Sequence, residues 1–514
     1  MTTRRLFLAY TASLAAIPSL GRGQSASSSP KFQANPFSLG VASGDPDHHS
    51  VVLWTKLAPE PLIPGGGVPP QAIEVTWEIS LDDQFKKILQ KGTALATPQL
   101  GHSVHVTPEG LPADSWFFYR FQVADHTSAV GRTRTMPAEG AKVDSLKIAV
   151  ASCQNFEQGL FTAYAQMKVD APDLVFHLGD YIYEYASGRN GKIRAHLGPE
   201  ILSLHDYRIR YAQYRSDPHL AAMHAACPWL VTWDDHEVDN NYADAVSEQK
   251  GVSVTELLIR RANAYQVYYE MMPLRESSLP YGPRMDLYRR ASFGNLAEFH
   301  ILDTRQYRTD QPNGDGRDPL NDAARNPKNT LLGETQRNWL FNGLLKSHAT
   351  WNILPQQVMM GTQGHLSKNG DPKYSMDSWS GYLAERECLM RFFADRKVLN
   401  PIVLTGDVHV HWAHDLRIDD LKPEGPVVAT EYVTTSISSG GNGVDAWGSI
   451  DQFKAANPGV KYHNARRGYL LCTITPEVYR TDYMTVDQVT KEGGITTKAA
   501  TLVTENGYPG ALAG

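Results

Sequence analysis

"SLKIAVASCQN", residues 145–155, is an apolar run of strand character that ends on a lone cysteine. Taken alone, Cys153 reads as a small buried hydrophobe, because free cysteine is among the most buried residue types. The chain beyond it repeats the ending with other polar residues. "DLVFHLG" stops at Asp180, "PWLVTW" at Asp234-Asp235-His236-Glu237, and "AEFHIL" at Asp303-Thr304-Arg305. "TWNIL" stops at Pro355-Gln356-Gln357 and "NPIVLTG" at Asp407-Val408-His409. Segments of helical periodicity alternate with these strands, among them "GLFTAYAQMKVD", "HDYRIRYAQYRSDPHLAAMHA", "VTELLIRRANAYQVYYEMM" and "ETQRNWLFNGLLKSH". The alternation predicts an α/β domain over residues 147–480. In open α/β sheets chemistry gathers at the carboxyl ends of the strands, so six strands are expected to deliver polar ends to one rim.

A single carboxylate at such an end is more often a helix cap or a turn residue than a ligand. The set is harder to dismiss, since unpaired carboxylates near a core are costly and cations remove that cost. In extended backbone residues i and i+2 point the same way, which lets Asp407 and His409 reach one site. Asp180 and Tyr183 are three apart, and one helical turn after the strand would bring them to the same side. A carboxylate, an imidazole, a thiolate and a phenolate together suit a trivalent or borderline ion such as iron better than magnesium. Asp235, Asp407 and an asparagine of "DNN" are oxygen donors that suit calcium. Beside a metal, the Cys153 thiol would lose its proton and ligate, which displaces the packing reading.

Upstream, "SVVLWTKLAP", "IEVTWEIS", "HSVHVTP" and "SWFFYRFQVAD" are short β-branched or aromatic runs separated by Gly/Pro-rich turns. Their spacing predicts a β-sandwich over residues 33–142. Residues 309–329 read as one long surface loop, and residues 481–514 as a polar, strand-like tail. The four cysteines, at 153, 227, 388 and 472, form no compact framework; with Cys153 on a metal, at most one disulfide remains. The balance of 49 basic and 55 acidic residues, net −6, with no basic block, argues against an obligate nucleic-acid partner. At the N-terminus Arg4 and Arg5 precede about fifteen mostly apolar residues, closed by Pro18 and Arg22. This matches a twin-arginine secretory signal over residues 1–27, too short to span a bilayer. A monomer exported to the periplasm or beyond by the twin-arginine translocase is expected.

The motifs "ASCQN", "HLGDYIYEY", "TWDDHEVDNNY", "ILDTRQYR", "LTGDVHVHW" and "EYVTTSISS" resemble the PhoD-type alkaline phosphatases and phosphodiesterases. That branch of the metallophosphoesterases also contains iron-dependent phospholipases D. The resemblance spans residues 36–475 and implies a calcineurin-like, layered αββα core preceded by an Ig-like or fibronectin-III-like sandwich. It places Cys153, Asp180, Tyr183 and His409 where the family binds Fe(3+). Asp180 would bridge to a second site, usually Ca(2+), completed by Asp407 and by residues 235–241, with Asp235 and Asn240 or Asn241 as the candidates. Asp235 stands where the wider superfamily has the Asn of G-N-H-E, and His236 where it has the phosphate-contacting histidine. Cys153 in place of D-x-H, and Tyr183, are the branch's own signature. A helix covering the site in the family is not expected here, because the residues after Tyr479 are strand-like.

The implied reaction is in-line attack on phosphorus by a hydroxide held between the metals. His236 would contact phosphate or protonate the leaving alkoxide, and Arg305 would grip the phosphate. The substrates would be small phosphate mono- or diesters, with phospholipase D action on phospholipid head groups as the alternative.

Overall fold

The computed structural model describes residues 30–367 and 369–514; the leader expected over residues 1–27 lies outside them. Leu146–Ala151, Leu174–Leu178 and Trp229–Thr232 run parallel in one sheet. Their side chains alternate between two cores: Ile148, Val150 and Phe176 enter one, Ala149, Ala151 and Val175 the other. Burial on both faces explains why these strands read as unbroken apolar runs.

A second sheet holds Ala297–Ile301, Trp351–Pro355, Pro401–Thr405 and Val427–Val433 in parallel, with Arg289–Phe293 and His411–Arg417 antiparallel to their neighbours. Its inward residues Phe299, Ile353, Ile402 and Leu404 meet Ile148, Val150 and Phe176 in one core between the sheets. The outer face of the first sheet packs on helices Ala163–Asp170, Leu204–Arg215, Pro218–His224 and Val254–Met271. The outer face of the second packs on Gly333–Lys346 and Leu383–Arg396. The layers are thus helix, sheet, sheet, helix.

Local sequence sets the helix ends. Ser253 and Glu256 close a reciprocal capping box at the start of Val254–Met271. The periodic stretch from His205 to Ala225 forms two helices, because Asp217 caps a fresh start with Pro218 in its first position.

The strand Val460–Ile474 ties the two sheets together. His463 and Asn464 pair with the second sheet at Trp412 and His411, and Leu470–Ile474 pair with the first at Leu146–Val150. Residues 481–514 continue this sheet: Val478–Val486, Thr496–Glu505 and Tyr508–Ala513 add antiparallel strands, and no helix follows Tyr479. They are therefore part of the core sheet and not a tail.

In the N-terminal region Val41–Gly44, Val52–Lys56 and Ser103–Val106 form one layer, and Ile73–Ser80, Ile88–Ala96 and Trp116–Val123 another. Leu53, Val104, Val75, Ile79, Phe117 and Phe121 fill the core between them. The first layer joins the α/β region directly, through Gly44 beside Trp229 and the Trp54 indole donating to the Glu270 carbonyl at 2.9 Å. All four cysteines are free thiols, and among the described residues no helix is long and apolar enough to cross a membrane.

Candidate metal centre

Three of the parallel strands, Leu146–Ala151, Leu174–Leu178 and Pro401–Thr405, are followed by left-handed turns that carry candidate ligands. Cys153, Asp180, Asp407 and His409 all take left-handed backbone angles, with φ of 58°, 56°, 64° and 55°. For non-glycine residues this costs about 1–2 kcal/mol each and persists only where surroundings enforce it. The enforcing contacts are present: Cys153 N–H donates to the Gly179 carbonyl at 3.1 Å, and Gln154 N–H to the Asp180 carbonyl at 3.0 Å. Glu237 clamps two turns at once, accepting from Asp180 N–H at 3.1 Å, Tyr181 N–H at 2.7 Å and Asp234 N–H at 2.9 Å. Gly179 lies so close that a Cβ there would sit 2.4 Å from Asp234.

The turns bring together three overlapping groups: Cys153 with Asp180 and His409, Asp180 with Asp235 and His236, and Asp234 with Asp235 and Asp407. Asp180 belongs to two of them. The Tyr183 hydroxyl donates to Asp180 Oδ2 at 2.8 Å, lies 3.2 Å from His409 Nε2 and accepts from Ser439 at 2.8 Å. Cys153, Asp180 and Tyr183 are almost fully buried, and Asp407 and His409 stand half-buried at the opening.

Two local expectations are corrected. Asp407 and His409 are not on extended backbone, and their left-handed turns send them to different groups, Asp407 toward Asp234 and Asp235, His409 toward Cys153 and Asp180. Asp180 and Tyr183 do meet, but across a bend at Tyr181-Ile182, without a helical turn.

The donor set fits cations. Asp180 Oδ1, Asp234 Oδ2 and Asp235 Oδ1 are buried and have no hydrogen-bond partner, a state too costly to persist uncompensated. Burial and the neighbouring carboxylates raise the pKa values of Asp180 and Asp407 far above the carboxylate range, although His236 and Arg305 oppose them. Burial also drives Cys153 and Tyr183 upward and His409 down to about 3. Asp180, Asp407, Cys153 and Tyr183 are therefore held protonated unless a positive charge joins them, whereas Arg305 and His236, against burial, keep Asp235 well below the carboxylate range.

His236 sits beside this cluster, its ring 4.1 Å from that of Tyr183. Its Nδ1 lies 2.8 Å from Glu184 Oε2, which can only accept, so Nδ1 carries a proton and Nε2 is left toward the site. Burial alone would lower its pKa, but Glu184, Asp235 and Asp180 outweigh that and push it well up.

Arg305 is fully buried and faces away from a substrate role. Its guanidinium binds Asp234 at 2.5 Å and Asp377 at 2.8 and 2.9 Å, with Arg308 also on Asp377. The Asn240 side chain is engaged by Tyr185 at 3.1 Å and Glu248 at 2.6 Å, while Asn241 N–H donates to Asp235 at 2.8 Å. Gln356 and Gln357 bond to Thr405, Thr232 and neighbouring backbone, so that strand end buttresses the rim. Glu184, Asp377 and Ser439 are supporting residues that no strand ending reaches, and Glu237, which stands at one, acts by clamping the turns; all but Asp377 lie inside the quoted motifs.

The PhoD-like phosphatase family pattern matches residues 148–483, and the pattern for its N-terminal domain matches residues 23–137. The chain is 50% identical to alkaline phosphatase D of Bacillus subtilis (strain 168), over 94% of this chain and 83% of that protein. A solved structure described as PhoD superposes with a TM-score of 0.92 at 50% identity, covering 94% of this chain and 93% of that one. These matches favour a phosphatase over the phospholipase D alternative. The two family patterns and this identity over nearly the whole chain place the protein in the PhoD-like phosphatase family, as a phosphoester-hydrolysing enzyme.

Proposed function

We propose that the protein is an exported phosphatase and phosphodiesterase built on a calcineurin-like αββα core behind an Ig-like sandwich. The proposed centre uses ferric iron and calcium. The observation that carries this is the mixed donor set around Asp180: a thiol, a phenol, an imidazole and carboxylates with orphaned oxygens on either side. Cys153, Asp180, Tyr183 and His409 would hold the iron, the softer and more highly charged side of the site. Asp180 would also face calcium, together with Asp235, Asp407 and an asparagine of 240–241. When bound, the two ions supply Lewis-acid activation of water and neutralise charge on the phosphate oxygens.

The chain's own groups do the rest. Protonated His236, fixed by Glu184, donates from Nε2 to a phosphate oxygen or to the departing alkoxide. Arg305 acts as a positioning residue: it gathers Asp234 and Asp377 and so fixes the turn that carries Asp235. The twin-arginine leader at Arg4 and Arg5 supports export of the folded protein.

The deciding experiment is hydrolysis of p-nitrophenyl phosphate and bis-p-nitrophenyl phosphate, with metal analysis, on wild-type protein and Asp180→Asn. The variant is expected to lose nearly all turnover and most bound iron. An Asp180→Asn protein with full iron and a tenth of the wild-type rate would end the bridging assignment.

A further inference from the structure

Asp407 lines a cleft of about 280 Å³, together with residues that follow two strands of the second sheet, Met359 and Gly361 after Trp351–Pro355 and Val408 after Pro401–Thr405. Its lining includes Met359, Val408, Trp447, Arg317 and His365. Trp447 is half-buried within an aromatic group, and it meets each ring edge-on or tilted: Trp412 at 76°, His463 at 60°, Phe453 at 85° and His365 at 50°. No described ring stacks flat on it, and the half-buried indole is braced by its neighbours while part of it lines the cleft. Arg317 is exposed at the rim and makes no ion pair among the described residues. It is therefore a cation without a protein anion, at the mouth of a site for anionic esters. The comparable cleft at the sandwich junction differs, because its Arg275 and Arg289 are already bonded to Asp47 and Asp45.

A phosphoester bound at the metal ligands must place its organic group somewhere, and this cleft opens at Asp407 itself. We propose that it is the subsite for the organic group of the ester, that Trp447 stacks on that group, and that the enzyme thereby favours aryl or other planar esters. The proposal rests on the hydrolase reading above and assigns its specificity. Inorganic phosphate has no organic group and does not enter the cleft, so its binding reports the metal centre alone.

The test measures kcat/KM for bis-p-nitrophenyl phosphate and the inhibition constant of inorganic phosphate in Trp447→Leu and Trp447→Phe, with a thermal melt of each. Trp447→Leu keeps an apolar side chain but loses the flat face; kcat/KM is expected to fall about tenfold, mostly in KM, at an unchanged phosphate constant. Trp447→Phe is expected to stay within threefold of wild type. Equal losses in ester turnover and phosphate binding, or a Trp447→Leu enzyme as good as wild type, would overturn the subsite. A wild-type protein that binds phosphate but hydrolyses no ester would instead sink the hydrolase reading, a result distinguishable because it appears before any substitution.

Discussion

Arg305 and Asp377 face each other through two hydrogen bonds, 2.8 and 2.9 Å long, at the floor of the metal centre. The contact is fork on fork, which a lysine cannot reproduce. Arg305→Lys is therefore expected to lower kcat by about 10–100-fold through displaced carboxylates, as the loss of outer-sphere partners of metal ligands does. The phosphate inhibition constant should move less than twofold, since the guanidinium faces aspartates. A parallel rise in that constant would show that Arg305 touches substrate.

A phenolate on ferric iron absorbs in the visible, so the purified protein should be purple to reddish. Tyr183→Phe should bleach or shift the band, and Cys153→Ser should weaken iron retention. Tyr181 is the control: its hydroxyl lies 2.9 Å from His224 Nε2, away from the cluster. A colourless protein shown to contain ferric iron would remove Tyr183 from the ligand set and return Cys153 to packing.

Oxygen donors around Asp235 and Asp407 predict dependence on a hard divalent ion. Excess EGTA should reduce the rate at least tenfold, and added calcium should restore it. An unchanged rate in protein shown to be calcium-free would refute the assignment.

His177 offers a stability measurement away from the site. Its ring is fully buried against Trp229 and Tyr181, and neither nitrogen has a partner. Burial drops its pKa to about 3 from an ordinary 6.5. Between those values the unfolded chain binds a proton that the folded chain refuses, so this stability contribution is complete above pH 6.5 and lost as pH falls. The loss is about 1.4 kcal/mol per pH unit. His177→Phe should be neutral or mildly stabilising at pH 7.5 and gain about 2 kcal/mol over wild type at pH 5, read by urea denaturation. Identical acid limbs for both proteins would show that His177 is not buried neutral.

The strand endings at Cys153, Asp180, Asp235 and Asp407 could be read directly because doubly buried strands are unbroken apolar runs, and the first polar residue after each stands out. The turn geometry could not. Left-handed backbone at Asp407 and His409 splits a pair that an extended chain would aim together, and no residue pattern there announces it. Asp377 was hidden for another reason: it lies in a loop with no periodicity, and only the fold carries it to Arg305. The strand Ile88–Ala96 escaped because most of its side chains face solvent, leaving a weak apolar signal.

The strand Val460–Ile474 also makes the joining of the two sheets depend on a late segment of the chain. Leu470 pairs with Val150 across more than 300 intervening residues, and the same strand closes the second sheet at His411. A nascent chain halted before residue 460 lacks the strand that joins the two sheets, so their union waits for residues near the C-terminal end. The buried residues of the sandwich core all lie early in the chain, between Phe37 and Val123, whereas the core between the two sheets takes Leu470, Cys472 and Ile474 from this late strand. A chain that ends before residue 460 would leave edges of both sheets unpaired, which invites aggregation.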